Sequence, residues 1–385
     1  MRCMQLQFEE ETYPVWIGSD CLDDLVEHLR NIDASTFHLI TDETVGRLHA
    51  GPLSARLAHV ASVHNWVIDD GEAGKSLATV DRIAQAMMRA GADRRSVVIA
   101  MGGGVVGNVA GLLAALLFRG IRLVHVPTTL IAMADSVASL KQAVNLPQGK
   151  NLIGCFYTPT AVLIDVAFLE TLPAVQVRSG MCEIIKNALI ISGDNLTLIQ
   201  NRLRPDAQYD RSTLLAIVEA GHMDKQKVMV RDKRERSDAI VFEYGHTVGH
   251  AIELASGGRI THGEAVGLGM IAAAEIAFAT GGLPDSVRDL HYHLLQRNGV
   301  TLERASEVAL PAVMALVQSD NKRGYVRAAP HQVPMILLQD LGKPRLENGW
   351  PLTLIDSSLV AEVLDKHLFN PARPAAHEMA VALCR

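Results

Sequence analysis

The sequence of 385 residues is poor in the features that mark secreted and membrane proteins. It has only five cysteines, which are scattered and form no C-x-x-C pair: Cys3, Cys21, Cys155, Cys182 and Cys384. This pattern argues against a disulfide framework and against zinc held by thiolates. The most apolar stretch, 109–118, has about half the roughly 20 residues that a membrane-spanning helix needs. The N-terminus also lacks the apolar region of a signal peptide. We therefore expect a cytoplasmic protein without a membrane segment.

The sequence also lacks a large excess of positive or negative residues. Lys and Arg number 36 against 42 Asp and Glu, and the formal net charge is -6. The two signs are interspersed, so no basic surface for nucleic acid or an anionic membrane is expected. The expected partner is a small molecule.

The length predicts two domains. In the first part of the chain, β-rich runs alternate with helix-length segments. Strands are predicted at 37–41, 60–68, 96–101, 123–126 and 161–165, and helices at 76–90 and 105–118. This alternation predicts an α/β fold with a parallel sheet, whose ligands bind beyond the carboxyl ends of the strands.

A mainly α-helical domain should follow. Amphipathic runs replace the strands at 177–192, 211–230, 245–255, 263–279 and 284–296. We predict an α/β domain at 1–170, a helical domain at 171–370 and a loose tail at 371–385. The charge run Arg231-Asp232-Lys233-Arg234-Glu235-Arg236 is typical of a solvated loop.

A glycine-rich segment, Gly102-Gly103-Gly104-Val105-Val106-Gly107-Asn108, follows a predicted strand and opens a predicted helix. The spacing G-x-G-x-x-G lets a pyrophosphate approach the free N–H groups at a helix start. The alternative is a tight structural turn. The segment departs from the usual dinucleotide pattern in following a middle strand and in lacking an acid about 20 residues later.

Polar residues end the neighbouring strands. Asp42 could reach a ribose or an adenine edge, although a helix cap before Glu43 is the favoured interpretation of that residue alone. Asp70-Gly71-Glu72-Ala73-Gly74-Lys75 ends a second strand, and Pro127-Thr128-Thr129 ends a third, where a plain turn is the default.

Three histidines fall within 17 residues. His246 and His250 are four apart and share one helical face, and His262 precedes Gly263-Glu264. This grouping favours a metal site over a structural role. The glutamate of H-E-x-x-H is missing, which argues against a zinc protease.

A carboxylate ligand is also expected, because a catalytic metal typically has three protein ligands and an open position. Glu183 lies in the otherwise apolar segment Met181-Cys182-Glu183-Ile184-Ile185-Lys186. The alternative is a surface pair with Lys186, which the apolar neighbours disfavour.

Taken together, these motifs resemble the sugar-phosphate cyclases, the family of dehydroquinate synthase. The resemblance runs from about residue 41 to residue 322 and keeps the family order. Its parts are 102–108, Pro127-Thr128-Thr129, 135–141, Lys150-Asn151, Glu183-x-x-Lys186, Gly245-His246-x-x-Gly249-His250, His262-Gly263-Glu264 and Asp320-Asn321-Lys322. It implies an N-terminal NAD-binding parallel-sheet domain, a helical metal- and substrate-binding domain, and a homodimer.

The resemblance also implies roles for individual residues. Glu183, His246 and His262 would hold one divalent metal, Co2+ or Zn2+. NAD+ would contact Asp42, Glu72, Ala73, Gly74, Lys75, Gly104, Val105, Val106, Gly107, Asn108, Thr128, Thr129, Ser139, Leu140, Lys141, Lys150 and Asn151. A sugar phosphate would contact Asp135, Lys141, Asn151, Lys186, Lys225, His250 and Lys322, with Arg119 reaching the phosphate from its own or a partner subunit.

Two departures from dehydroquinate synthases indicate the substrate. Ala239 stands where those enzymes have a carboxylate-binding arginine, and Glu243 stands where they have asparagine. The first change suggests a substrate without a carboxylate, and the second an added base. Together with Ser139-Leu140-Lys141-Gln142-Ala143-Val144-Asn145 in place of a glycine-rich lysine loop, these changes resemble the cyclases that act on glucose 6-phosphate. That resemblance implies a role in aminoglycoside antibiotic biosynthesis.

The resemblance implies a carbon–oxygen lyase that oxidises its substrate transiently. NAD+ would take hydride from C4, the C5 proton and the C6 phosphate would leave, and the hydride would return before an aldol step closes the ring. Glu243 would be the base, Lys141 a cationic partner of the phosphate and enolate, and His250 a proton shuttle.

Other functions stay open at this point. A cyclase of the sedoheptulose 7-phosphate type or the dehydroquinate type would share most of these motifs. A metal-dependent polyol dehydrogenase would accumulate NADH on turnover, which a cyclase would not. A non-catalytic sensor of NAD or sugar phosphate would keep the glycine loop and lose the metal ligands.

Overall fold

The computed structural model describes residues 1–191, 193–318 and 325–370. Internal contacts divide the chain into two units, the first made of Met1–Gly180 and Gln208–Ala239 and the second of Met181–Ala207 and the chain from Ile240 onward. The sequence had predicted one boundary near residue 170. The segment from Gln208 instead belongs to the first unit, because its helix packs against that unit's first strand and its helix at 130–134. The predicted tail at 371–385 lies outside the described residues.

A seven-stranded sheet organises the first unit. The strands of this unit are β1 (Arg2–Phe8), β2 (Glu11–Gly18), β3 (Thr36–Asp42), β4 (Ser62–Ile68), β5 (Val97–Gly102), β6 (Arg122–Pro127), β7 (Lys141–Leu146), β8 (Gly149–Phe156) and β9 (Ala161–Asp165). The sheet order is β1-β2-β9-β6-β5-β3-β4. Only the β1–β2 pair is antiparallel. β7 and β8 form a separate antiparallel hairpin.

Helices cover this sheet. They are α1 (Leu22–Arg30), α2 (Glu43–Val45), α3 (Gly51–Leu57), α4 (Leu77–Arg89), α5 (Gly104–Leu116) and α6 (Leu130–Ala134). All six residues of β5 are buried, as expected for a parallel strand covered on both faces. Ile83 and Met87 of α4 join Val109 and Leu113 of α5 in one apolar cluster with Ile40 of β3.

The strand order places three strand ends side by side. In the sheet, β4 lies on one side of β3, and β5 and then β6 lie on the other side. The carboxyl ends of β3, β5 and β6 therefore meet at a switch point, where parallel sheets bind ligands. The Thr128 N–H donates to the Gly102 carbonyl across 3.0 Å and joins the last two of these ends.

The chain then passes into the second unit and back. Helix α7 (Ala174–Ile191) crosses the boundary, α8 (Asp194–Arg202) lies in the second unit, and α9 (Arg211–Met229) returns to the first.

The second unit is mainly helical, as predicted. Its remaining helices are α10 (His246–Ala255), α11 (His262–Ala279), α12 (Asp285–Arg297), α13 (Leu310–Val317) and α14 (Ser357–Leu364). Four short strands form two antiparallel pairs: β10 (Gln332–Met335) with β13 (Thr353–Asp356), and β11 (Leu338–Asp340) with β12 (Lys343–Pro344). Helix α11 is buried on every face from Gly263 to Ala277, which makes it the central helix of this unit.

The charge run at 231–236 is only in part the solvated loop that its composition suggested, since Arg231, Arg234 and Arg236 are exposed. Asp232, Lys233 and Glu235 are all buried. The Asp232 carboxylate accepts the backbone N–H groups of Arg236, Ser237 and Ala239 at 2.8–2.9 Å. Local hydrogen bonds therefore fold the two acids and the lysine of this loop onto the protein, whereas its three arginines stay in water.

No helix within the described part of the chain combines the length and the apolar character needed to cross a membrane.

Candidate functional site

The glycine loop begins where β5 ends. A Cβ at Gly102 would lie 2.5 Å from Val106 Cγ2, and a Cβ at Gly103 would lie 3.0 Å from Thr129 Cγ2. These positions need glycine because neighbouring groups fill the space of a side chain. Gly103 is the N-cap of α5, and no side chain caps that helix. The first N–H groups of α5 are therefore available to an anionic ligand.

A pocket of the first unit joins this loop to Lys141. Its lining includes Gly104, Gly107, Asn108, His125 and Lys141. Burial lowers the pKa of His125 to about 4, so the pocket has a neutral imidazole on its β6 side at neutral pH. Val106 and Leu140, both predicted to contact NAD+, are buried.

Asn108 and the threonines have defined structural roles. The Asn108 amide donates to the Gly104 carbonyl at 2.8 Å and accepts from the Ala143 N–H at 2.8 Å, which ties α5 to β7. Thr129 caps α6 through the Ala132 N–H. The Thr128 hydroxyl is buried beside the end of β6 and has no hydrogen-bond partner in the described residues.

Asp42 stands at the end of β3, next to the glycine loop. Its carboxylate accepts the Val45 N–H at 2.7 Å, so the cap favoured from the sequence is present. Burial raises the pKa of Asp42 above its usual value. Since a cap uses one oxygen, the second can still serve a ligand hydroxyl.

The hairpin β7–β8 brings a second group of predicted residues together. Lys75 Nζ donates to Asn151 Oδ1 at 2.5 Å, and Lys150 Nζ lies 3.6 Å from Glu72. Asn145 donates to Glu72 at 2.5 Å and accepts the Asn151 N–H at 2.9 Å. The turn at 72–75, which also contains Ala73 and Gly74, is thus held against the hairpin. Asn151 adopts a left-handed backbone with φ 58°, a conformation that asparagine tolerates better than most residues.

Two further ion pairs place predicted substrate residues in the first unit. Lys225 Nζ lies 3.1 Å from the Asp135 carboxylate and donates to the Asp135 carbonyl at 2.9 Å. Lys141 Nζ donates to Glu235 at 2.6 Å. Ser139 is buried and donates to the Ser136 carbonyl.

Arg119 lies apart from these pairs, on an exposed turn after α5. Phe118 and Arg119 both have positive φ, at 53° and 66°. Two successive left-handed residues with side chains are unusual. Arg94 holds this turn by donating to the Phe118 carbonyl at 3.1 Å.

In the second unit, a carboxylate and three imidazoles form one cluster. Glu183 Oε1 lies 3.3 Å from His262 Nε2 and 3.5 Å from His246 Nε2. Ligand atoms of His246, His250 and His262 lie within 4.8 Å of one another. The structure thus places His250 near the other candidate ligands, and its geometry is compatible with His250 as a ligand or as a neighbour.

Hydrogen bonds orient two of the imidazoles. His246 Nδ1 lies 3.1 Å from the Tyr244 carbonyl, and His262 Nδ1 lies 3.0 Å from Glu253 Oε2. With Nδ1 occupied, each ring presents Nε2 to Glu183, as histidine ligands of metals do.

The charges of this cluster are strongly perturbed. Burial lowers the pKa of His246 to about 3. Burial also disfavours the charged form of His262, but the carboxylates of Glu183 and Glu253 outweigh it and raise that pKa to about 10. Burial opposes ionisation of Glu183, yet Lys186 and the histidines hold its pKa well below the usual range.

This donor set fits a divalent metal ion. Oε1 of the buried Glu183 carboxylate lies within 3.5 Å of the oriented Nε2 atoms of His246 and His262. Imidazole and carboxylate ligands suit Zn2+ and Co2+ alike. The sequence analysis also allowed a surface ion pair between Glu183 and Lys186. The ion pair is present, with 2.5 Å between Glu183 Oε2 and Lys186 Nζ, but both side chains are buried.

Close helix packing brings the histidines of α10 to His262 at the start of α11. A Cβ at Gly249 would lie 2.9 Å from Val266 Cα, and one at Gly269 would lie 1.9 Å from the Gly245 carbonyl. Glycine at these positions lets the two backbones approach.

Ala239 and Glu243, the two positions predicted to indicate the substrate, lie on either side of the point where the chain leaves the first unit. Ala239 is fully buried. Glu243 is half-buried at the end of the 3-10 turn Asp238–Glu243, three residues before His246. The predicted substrate residue Lys322 lies outside the described residues.

Sequence reasoning missed two acids, Glu253 and Glu235. Glu253 shares the α10 face of His246 and His250 at the spacing i+7 and i+3, a signal that could have identified it. Glu235 had no such signal, because its loop folds through hydrogen bonds to Asp232 that no periodic pattern reveals.

Comparisons with known proteins first give the class. The family model for the 3-dehydroquinate synthase N-terminal domain matches residues 65–179, and the model for its C-terminal domain matches residues 180–323. The two matches meet near the first crossing between the units at residue 180, although the second match also includes 208–239, which belongs to the first unit. The fold is that of the 3-dehydroquinate synthase class.

More similar relatives narrow this class. A 2-deoxy-scyllo-inosose synthase of Streptomyces kanamyceticus is 45% identical over 377 residues, which cover 98% of this chain and 96% of the relative. A crystal structure of 2-deoxy-scyllo-inosose synthase with carbaglucose-6-phosphate, NAD+ and Co2+ matches with a TM-score of 0.90 at 37% identity, covering 94% of this chain and 99% of that one. The chain belongs to the 2-deoxy-scyllo-inosose synthase family.

A more distant structure shares the fold. The 2-epi-5-epi-valiolone synthase ValA of Streptomyces hygroscopicus subsp. jinggangensis, with NAD+ and Zn2+ bound, has a TM-score of 0.77 and 26% identity. It covers 92% of this chain, and this chain covers 96% of it.

Proposed function

We propose that the protein converts D-glucose 6-phosphate into 2-deoxy-scyllo-inosose and inorganic phosphate. The observation that supports this most strongly is its 45% identity, over nearly the whole chain, to an enzyme of that name. Ala239 and Glu243 support the same substrate, because the site lacks the arginine that a carboxylated substrate would need. The reaction has no net redox change, since the hydride removed from C4 is returned to C4.

The first unit would bind NAD+. The uncapped start of α5 would receive the pyrophosphate, and Asp42 and Thr128, at neighbouring strand ends, would receive ribose or nicotinamide groups. Lys75, Lys150 and Asn151 would complete the site from the turn at 72–75 and the β7–β8 hairpin. When bound, NAD+ supplies a reversible hydride acceptor.

The second unit would hold one Co2+ or Zn2+ through Glu183, His246 and His262. When bound, the metal polarises the oxygen of the hydroxyl that is oxidised. Lys186 would remain as a cation beside Glu183, and His250, at the edge of the cluster, would relay the hydroxyl proton.

Glu243 would act on the proton at C5. Its carboxylate is half-buried, which is the environment in which a glutamate can work as a base. Lys141, Lys225 and Arg119 would neutralise the phosphate, which leaves with the two electrons of the C6–O bond. The enol carbon C6 then attacks the C1 aldehyde after ring opening, which closes the carbocycle.

The wider setting belongs to the same proposal. We infer a homodimer that works in the cytoplasm, where the four cysteines of the described residues stay reduced. Its product would enter aminoglycoside antibiotic biosynthesis.

The decisive experiment uses purified protein with NAD+, Co2+ and glucose 6-phosphate. The proposal predicts stoichiometric phosphate release, no accumulation of NADH, and a cyclic product of the mass of 2-deoxy-scyllo-inosose. Sedoheptulose 7-phosphate, supplied in parallel, should give no phosphate. Net NADH formation would instead indicate a polyol dehydrogenase.

A further inference from the structure

The ion pair between Lys141 and Glu235 is asymmetric. The Lys141 side chain is 46% exposed, whereas that of Glu235 is 8% exposed, and the two are joined across 2.6 Å. Lys141 reaches its partner from the first position of β7, beside the glycine-loop pocket. The pair thus joins a buried carboxylate to a lysine that is partly exposed beside the pocket.

Glu235 is held by its own loop. Its backbone adopts φ 51°, in the left-handed region that residues with a Cβ rarely occupy. The Glu235 N–H donates to the Asp232 carbonyl at 3.1 Å, and the Asp232 carboxylate accepts the next two N–H groups, those of Arg236 and Ser237. These hydrogen bonds hold Glu235 in a backbone conformation that costs free energy.

The N-terminal hairpin braces the same loop. Lys233 Nζ donates to Glu10 and Glu11, and the Lys233 N–H donates to Glu9. The Glu9 N–H in turn donates to the Val230 carbonyl at the end of α9. The turn between β1 and β2 therefore fixes the loop on both sides of residue 232.

The contacts of Glu235 are not those of a carboxylate kept for folding alone. Only Oε2 is used, by Lys141, whereas Oε1 is buried without a hydrogen-bond partner in the described residues. Buried carboxylates that stabilise a fold usually satisfy both oxygens. The one side-chain hydrogen bond that the described residues give Glu235 is therefore the one to Lys141.

We propose that Glu235 is a positioning residue that holds the Lys141 ammonium at the glycine-loop pocket. A lysine has four rotatable side-chain bonds, and an anchored acceptor removes most of that freedom before a ligand arrives. The inference rests on the proposed function for the role of Lys141 with the phosphate, but not for the positioning itself.

A double-mutant cycle tests this coupling. Glu235→Ala should lower kcat for phosphate release by about tenfold or more with little change in KM, because a misplaced cation weakens the transition state. Glu235→Gln should keep part of the activity, since its amide oxygen can still accept from Lys141. In a Lys141→Ala background, Glu235→Ala should have almost no further effect. An equal loss in both backgrounds would overturn the proposal. The control is Asp238→Asn, at an exposed carboxylate of the same segment.

A second measurement is independent of turnover. The rate at which an acylating reagent labels the Lys141 amine is followed by mass spectrometry in the substrate-free protein. Glu235→Gln should raise this rate by about threefold or more, because the neutral amine reacts and a paired ammonium keeps its proton. Labelling of Lys227, whose side chain is 50% exposed, should not change. An unchanged Lys141 rate would contradict the proposal. The labelling rate of Lys141 can rise in Glu235→Gln while the wild-type protein releases no phosphate. In that case the proposed function is wrong, and the positioning of Lys141 by Glu235 is still supported.

Discussion

At the scale of single residues, the cluster around Glu183 shows how burial and charge prepare a metal site. A carboxylate that is 1% exposed keeps its charge because Lys186, His246 and His262 surround it. Isolated in such a place, it would take up a proton. Burial also lowers the pKa of His246 to about 3, which leaves the imidazole in the neutral form that a metal ligand needs. If this cluster is the proposed metal site, only the His262 ring, whose pKa is raised, has to give up a proton.

Glu253 should matter for metal binding although it would not be a ligand. Glu253→Gln should weaken Co2+ or Zn2+ binding by about 10- to 100-fold, because the His262 ring loses the carboxylate that orients it. Isothermal titration calorimetry on the metal-free protein measures this. Glu275→Gln is the matched control, since Glu275 is a buried glutamate of the same unit that binds the Tyr292 hydroxyl instead. Equal affinities in wild type and Glu253→Gln would show that Glu253 has no orienting role.

Glu243 should be needed for the chemical step and not for assembly of the site. Glu243→Gln should slow phosphate release in a single turnover by about 10²- to 10⁴-fold, the usual contribution of a general base. Binding of metal and NAD+, measured by calorimetry, should be unchanged, because the substitution keeps the shape of the side chain. Undiminished phosphate release would remove Glu243 as the base.

At the scale of secondary-structure elements, the metal cluster depends on how closely two helices pack. His246 and His250 lie on α10 and His262 lies at the start of α11, and Gly249 and Gly269 let these helices come together. The helix–helix distance therefore sets the distances between candidate ligands. Side-chain substitutions far from the histidines can act through this packing.

Gly249→Ala tests this dependence. Its new methyl group would meet Val266 Cα at 2.9 Å, and overpacking of this kind costs about 1–3 kcal/mol. We expect a lower melting temperature and weaker metal binding, followed by differential scanning fluorimetry and calorimetry. Gly51→Ala is the control, because a Cβ there meets nothing within 4 Å, and it should leave both quantities nearly unchanged. Normal metal affinity in Gly249→Ala would show that metal binding does not depend on the close packing of α10 and α11.

At the scale of the whole molecule, Arg119 raises the question of subunit number. It lies on an exposed turn whose two left-handed residues cost free energy, on the order of 1 kcal/mol or more each. A turn can keep such an unfavourable backbone when it directs a side chain to a ligand. Here the side chain would be that of Arg119, and the ligand would lie in the same chain or in a second copy. The proposed dimer should have twice the 41.7 kDa mass of one chain in light scattering.

Mixing two inactive variants distinguishes these cases. Arg119→Ala and Lys141→Ala proteins are unfolded, mixed in equal amounts and refolded together. If Arg119 serves the partner's site, mixed dimers contain one intact site, and about a quarter of all sites should be active after random assembly. If Arg119 serves its own site, every site keeps one defect and the mixture stays as inactive as its components. A wild-type sample refolded in parallel controls for recovery.

The sequence by itself determined the fold class, the family and most of the regular elements. The five predicted strands of the sheet and its crossover helices lie within two residues of their observed bounds, because buried β-branched runs and amphipathic helices have strong local patterns. The family resemblance is confirmed by the comparisons. The metal ligands could be proposed from spacing and resemblance together, and they stay a proposal.

Only the tertiary structure decided what depends on contacts between distant segments. It showed that β7 and β8 form a hairpin against the turn at 72–75, that α9 belongs with the first unit, and that Asp232, Lys233 and Glu235 of the charge run are buried. It also paired Lys141 with Glu235 and His262 with Glu253. Local sequence fixes a residue's φ, ψ and exposed face through short-range sterics and periodicity, whereas a partner 94 positions away is chosen by the packing of the whole unit.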